Sequence, residues 1–207
     1  FIFDDLPAIQ DNPTIRALWP PATVLSPPAA SGVGGRPLAN LSFAVNRALG
    51  GEAAAGFHVG NLLLHAGSAL LLFGVLRRTL RAPSPWLAGT IALLWSVHPL
   101  TTAAVTWLSQ RTELLMAFCY LLTLYAFIRG AAARSRGWLG LSVGACLLGM
   151  MSKEVMVTAP LAVLLYDRTF VAGGFRAAWE QRRGYYLALA STWCVLGYLL
   201  TTGLSLR

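Results

Sequence analysis

The stretch FHVGNLLLHAGSALLLFGVL, residues 57–76, is followed at once by Arg77-Arg78, and its reading decides the fold. Its 20 residues carry no formal charge. As a helix rising ~1.5 Å per residue they extend about 30 Å, the thickness of a bilayer's hydrocarbon core. Similar runs follow at 86–108, interrupted near His98-Pro99, and at 112–128, which opens with Glu113. Two shorter runs, 138–151 and 155–166, flank Ser152-Lys153-Glu154, and 185–204 is the last. There is no strand alternation and no internal repeat. The expected fold is all-α, a polytopic transmembrane helix bundle.

Composition agrees. Of the 207 residues, 56% are hydrophobic and 12% charged, with a mean hydropathy of +0.60. An ordinary soluble domain carries roughly 25% charged residues. Soluble globules, disordered chains, collagens and disulfide scaffolds are excluded. Cys119, Cys146 and Cys194 lie far apart inside apolar runs and read as small hydrophobes. The net charge of +8 would point to nucleic acid in a soluble protein. Here the arginines have a different reading, and no nucleic-acid partner is expected.

That reading turns on residues 138–166. One continuous helix would sink Lys153 and Glu154 into hydrocarbon, which is costly. Two short helices meeting near a membrane face avoid this. They also place Arg77, Arg78, Arg81, Arg129, Arg134, Arg136, Arg168, Arg176, Arg182 and Arg183, 10 of the 16 basic residues, on one side. Asp4, Asp5, Asp11, Glu52, Glu113 and Glu154 fall on the other. The asymmetry is that of the positive-inside rule. Residues 1–56 are then a non-cytoplasmic loop. Within it, 37–49 reads as an amphipathic helix lying on the membrane surface, opened by Pro37 and ended by Gly50-Gly51. Leu38, Leu41, Val45, Ala48 and Leu49 form its apolar face, with Asn40, Asn46 and Arg47 elsewhere.

An inert anchor needs few polar groups, yet this chain gathers them on its outer face. Ionisable residues near membrane depth usually mark a site. Asp4-Asp5 are adjacent carboxylates, able to divide acid and base roles, or else a solvated loop or helix cap. Arg36 is placed to hold a phosphate bidentately, or a lipid headgroup. His58, Asn61 and His65 share one helix face by their spacing. His65 reads as an interhelical hydrogen bond. His98, the pair Arg111 and Glu113, and the pair Lys153 and Glu154 add further polar groups to this outer cavity. Nucleophile-elbow, phosphate-loop, zinc-helix and dinucleotide signatures are absent.

The ordered set resembles a family. Phe3-Asp4-Asp5 is followed by Arg36-Pro37-Leu38 with Ser42-Phe43 and Asn46, then Phe57-His58 with Asn61 and His65. His98-Pro99, Arg111-Thr112-Glu113, Ser152-Lys153-Glu154 and Tyr166-Asp167 complete it. It is similar to the amino-terminal membrane region of the TMTC-type protein O-mannosyltransferases and their bacterial relatives, often joined to tetratricopeptide repeats. More broadly it resembles the GT-C superfamily of polyprenyl-phosphate-sugar-dependent enzymes.

The resemblance implies an inverting glycosyltransferase. It would move mannose or another hexose from a polyprenyl-phosphate donor to a protein hydroxyl or glycan acceptor on the non-cytoplasmic face. It assigns the base to Asp5 or Asp4, with Glu113 as a second acid. Arg36, Arg111 and Lys153 are candidates for the donor phosphate, and His58, Asn61, His98 and Glu154 line the site. There is no DxD, and no divalent metal is expected. The resemblance also implies a fragment, with a first span preceding Phe1 and later spans and repeats beyond Arg207. Two other readings stand beside it. A transporter or flippase would carry polar residues through the full depth, and a non-catalytic anchor would tolerate loss of Asp4-Asp5. Arginine used almost to the exclusion of lysine points to a bacterial inner membrane with a periplasmic site. A eukaryotic relative would sit in the endoplasmic reticulum.

Overall fold

The computed structural model describes residues 4–80 and 84–205, with side chains to residue 201. Phe3 and Arg81, both used in reading the sequence, lie outside the described residues.

A small cap comes first. It contains a π-helical turn Leu6–Gln10, a 3-10 turn Pro13–Ile15, a one-turn helix α1 (Pro21–Val24) and α2 (Pro37–Gly50). The bundle follows as α3 (Ala54–Thr79), α4 (Trp86–Ser96), α5 (Pro99–Thr106), α6 (Arg111–Ala133) and α7 (Arg136–Met150). It ends with α8 (Ala159–Tyr166) and α9 (Phe175–Ser205). The described residues contain no strand, and the protein is all-α. The cap buries Ile9, Ile15, Val24, Val33, Phe43 and Phe57 together. The bundle has its own core around Phe127, Cys146, Met150, Met156, Tyr185 and Leu189, and Leu38 packs against both.

The protein is an integral membrane protein. Ala54–Thr79 and Leu108–Ala133 are long and apolar enough to cross a membrane, and α4 with α5 makes a third span if the bent pair is one. In α3 the pattern of a soluble helix is reversed. Asn61, His65 and Ser68 are buried, while Leu62, Leu63 and Leu70 face outward. Hydrocarbon around the helix accounts for that arrangement. The helix runs on past the apolar run through Arg77 and Arg78, where cations complement the helix C-terminus.

The breaks have local causes. Between α4 and α5 the chain bends by 59°. Pro99 brings no N–H to the ladder. The backbone N–H of Leu100 donates to His98 Nδ1 (3.2 Å), and the carbonyl of Ser96 pairs with His65 Nε2 (2.8 Å). The His65 ring stacks on Trp95. Between α7 and α8 the helix stops at Met150, and Glu154–Thr158 continues as a 3-10 turn. A Cβ at Gly149 would lie 2.6 Å from Met156 Sδ, so glycine is what lets that turn fold back onto α7. The last apolar run, 185–204, is the distal part of α9, which departs from helical geometry at Arg182 (φ −139°, ψ 30°).

The surface helix packs against the protein by a side that the sequence did not single out. Pro37, Ala39, Asn40, Phe43 and Ala44 are the residues of α2 buried against the protein. Val45 and Leu49, on the expected apolar face, are exposed. The helix therefore has two apolar sides, and Asn40 sits within the packed one.

Candidate functional site

The first acidic pair is split by its environment. Asp5 precedes the Leu6–Gln10 turn without capping it. Its carboxylate instead accepts a hydrogen bond from the Ser109 N–H (2.8 Å), tying the cap to the turn that opens α6. Asp5 is buried, 5% exposed. Asp4 is exposed. Its carbonyl accepts from the Ala8 N–H (3.2 Å), and its carboxylate has no hydrogen-bond partner among the described residues.

Next to it lies a chain of alternating charges. A Cβ on Gly32 would sit 3.8 Å from Asp4 Cβ, so this loop packs on Asp4. The Gly32 carbonyl accepts from Arg36 Nη1 (3.3 Å). Arg36 Nη2 is 3.7 Å from Glu154, a long pairing. Arg36 Nε is buried and has no hydrogen-bond partner among the described residues. Glu154 follows Lys153, whose Nζ donates to Glu113 on α6. The Leu38 N–H donates to the Met151 carbonyl (3.1 Å) and holds the start of α2 against this break. The structure thus brings Asp4, Arg36, Glu154, Lys153 and Glu113 together at one end of the bundle. All five side chains keep some contact with solvent.

Arg111, expected at the donor phosphate, is a buried clamp, 2% exposed. Its Nε donates to Asn61 Oδ1 (2.7 Å), Nη2 to the Phe57 carbonyl (2.6 Å) and Nη1 to the Ser42 carbonyl (3.4 Å). The guanidinium also lies 4.6 Å from the centroid of the Phe43 ring. Three of its donors are held by α2 and α3. Gly60 makes the approach possible, since a Cβ there would be 2.8 Å from Arg111 Nη2. Asn61, expected to line the site, is wholly buried. Its amide nitrogen reaches the carbonyls of Val105 (3.3 Å) and Trp107 (3.4 Å), linking α3 to the end of α5.

The remaining histidines separate. His58 is exposed on the second turn of α3 and makes no hydrogen bond or ion pair among the described residues. His98 caps α5 through its own ring nitrogen, apart from the charged chain.

Two polar clusters form around residues the sequence marked, Asn40 and Asp167, with partners it did not. In the cap, Asn12 Nδ2 donates to Asn40 Oδ1 (2.8 Å), and Asn40 Nδ2 donates to the Val24 carbonyl (2.6 Å) and to Thr14 Oγ1 (2.8 Å). This knot fixes the Pro-rich loop. Its signal was an asparagine one turn into a helix whose neighbours are small and apolar. At the far end of α3, Asp167 is fully buried. It accepts both of its 3.0 Å bonds from Arg182 Nη1 and a third from the Tyr186 hydroxyl.

A family model described as dolichyl-phosphate-mannose-protein mannosyltransferase matches residues 36–200. The chain is 35% identical over 216 residues to the fruit-fly (Drosophila melanogaster) protein O-mannosyl-transferase Tmtc2, covering 96% of this chain and 22% of that one. It is 35% identical over 175 residues to fruit-fly Tmtc1, covering 81% and 20%. It is 32% identical over 186 residues to human protein O-mannosyl-transferase TMTC4, covering 76% and 25%. The chain thus spans about a fifth to a quarter of the length of these relatives. No solved structure matches. With the family model covering most of the chain, from the arginine that opens α2 to the distal part of α9, the chain belongs to the dolichyl-phosphate-mannose-protein mannosyltransferase family.

Proposed function

We propose that this region is the reacting end of a GT-C glycosyltransferase that moves mannose from a polyprenyl-phosphate carrier to a protein hydroxyl on the non-cytoplasmic membrane face. The observation that carries the reading is the open chain of charges Asp4, Arg36, Glu154, Lys153 and Glu113, with the buried Nε of Arg36 left without a partner among the described residues.

The chemistry is a single displacement with inversion. The acceptor oxygen forms a bond to the anomeric carbon as the bond from that carbon to the phosphate oxygen breaks. The electron pair leaves with the polyprenyl phosphate, which passes from a singly charged diester to a doubly charged monoester. Cations whose attraction grows with that charge accelerate the step. Arg36 and Lys153 take this role, exchanging part of their hold on Glu154 and Glu113 for the phosphate. The acceptor proton goes to Asp4, the accessible acid of the pair. Asp5 is a positioning residue: its bond to Ser109 fixes the Asp4 loop. Glu113 orients Lys153, and His58 and Glu154 line the approach. His98, Asn61 and Arg111 hold the helices that frame it. No step requires a divalent metal.

The test uses full-length protein in nanodiscs with radiolabelled polyprenyl-phosphate mannose and a threonine-containing peptide. Wild type is expected to transfer the label, and Asp4→Asn to lose about 10²- to 10⁴-fold in rate at equal folded yield. Asp5→Asn, which keeps an acceptor for Ser109, is expected to retain more activity than Asp4→Asn. Equal turnover by wild type and Asp4→Asn would remove Asp4 as the base.

A further inference from the structure

Beside the Asp4 loop lies a second concavity that the reaction does not use. It is a cleft of about 570 Å³ lined by Ile9, Gln10, Arg16, Arg47, Glu52 and Phe57. Its size falls within the range of pockets that bind small ligands or peptide side chains. Ile9 and Phe57 are buried beneath it. Gln10, Arg16 and Glu52 are exposed at the rim. Arg47 is already ion-paired to Glu52, whereas Arg16 makes no ion pair among the described residues. The rim therefore carries one guanidinium in excess over its single carboxylate.

The mixture selects the occupant. A lone phosphate would gain from the arginines but would meet the carboxylate of Glu52. A polypeptide uses all of it: N–H groups for Glu52 and Gln10, carbonyls for Gln10 and a carboxylate for Arg16. The cleft also adjoins the reacting end. The Leu6–Gln10 turn begins directly after Asp4-Asp5, and the Ala8 N–H is bonded to the Asp4 carbonyl.

Resting on the glycosyltransferase reading above, we propose that this cleft is an acceptor subsite. It takes an extended polypeptide with an acidic side chain on Arg16, next to the residue whose hydroxyl receives the sugar.

The experiment uses full-length protein in nanodiscs and short fluorescent peptides with one threonine flanked by either glutamates or lysines. In binding by fluorescence polarisation, wild type is expected to prefer the glutamate peptide about tenfold, and Arg16→Glu to invert that order. In transfer assays the preference is expected in KM, with kcat for a glutamine peptide unchanged by the substitution. Equal binding of both peptides to wild type, or equal loss of all peptides in Arg16→Glu, would overturn the subsite. Charge-selective binding without any sugar transfer would support the subsite and count against the glycosyltransferase reading alone.

Discussion

Acids meet cations at both ends of α3, and the two meetings differ in how complete they are. At the far end, Asp167 is wholly buried, and Arg182 and Tyr186 together give it three hydrogen bonds. At the cap end, Arg36 reaches Glu154 at 3.7 Å, and its buried Nε has no partner among the described residues. Asp4 is exposed, with no hydrogen bond to its carboxylate among the described residues. A closed cluster fixes structure, because any rearrangement leaves a charge unpaired in a poorly solvated place. An open one keeps donors and acceptors in reserve for a ligand. The same residue types are therefore framework at one end and candidate chemistry at the other.

The sharpest way to break this contrast compares one acid from each end. Asp4→Asn is expected to abolish sugar transfer by about 10²- to 10⁴-fold while leaving the thermal unfolding midpoint unchanged. Asp167→Ala is expected to do the reverse. It strands Arg182 and costs about 3 kcal/mol or more, read as a lower midpoint and reduced folded yield. Activity per folded molecule should survive. If Asp167→Ala silenced folded protein, the far end would belong to the reaction as well.

The cations sharpen it further. Lys153→Gln and Arg36→Gln are each expected to lower kcat/KM for the polyprenyl-phosphate sugar about tenfold, with part of the loss in kcat, from the loss of one charge-assisted contact. The effect should shrink at high salt, since these groups keep contact with solvent. A salt-independent loss would mean that they act through the fold. The smallest expected effect is Gly60→Ala. The added methyl pushes on Asn46 and on the Arg111 clamp, for about 1 kcal/mol of stability and a modest fall in kcat with KM kept.

Much of this architecture was legible in the sequence. Charge-free runs ending in Arg77-Arg78, the Pro99 interruption and the Ser152-Lys153-Glu154 break mark where helices stop, because burial of charge and loss of an N–H are local penalties. The all-α class follows from them. Arg111 was harder. A guanidinium near an outer turn reads as exposed, and only the fold shows that it is buried and bonded to Asn61, Phe57 and Ser42. Asn40 was hidden for the same reason. Its partners, Asn12 at 28 residues' separation and Val24 at 16, are not set by any helical period. Asp4 and Asp5 are adjacent in sequence and look equivalent there; burial and the bond from Ser109 distinguish them.

The hydrogen bond from the Leu38 N–H to the Met151 carbonyl has a consequence for dynamics. It is a backbone link between the cap and the α7–α8 break. Its proton can trade with solvent deuterium only while the two are apart. Leu38 is therefore a built-in clock for lifting of the cap. An exchange rate slower than that of neighbouring loop amides, but faster than that of the α6 interior, would give the opening free energy of the cap separately from that of the bundle.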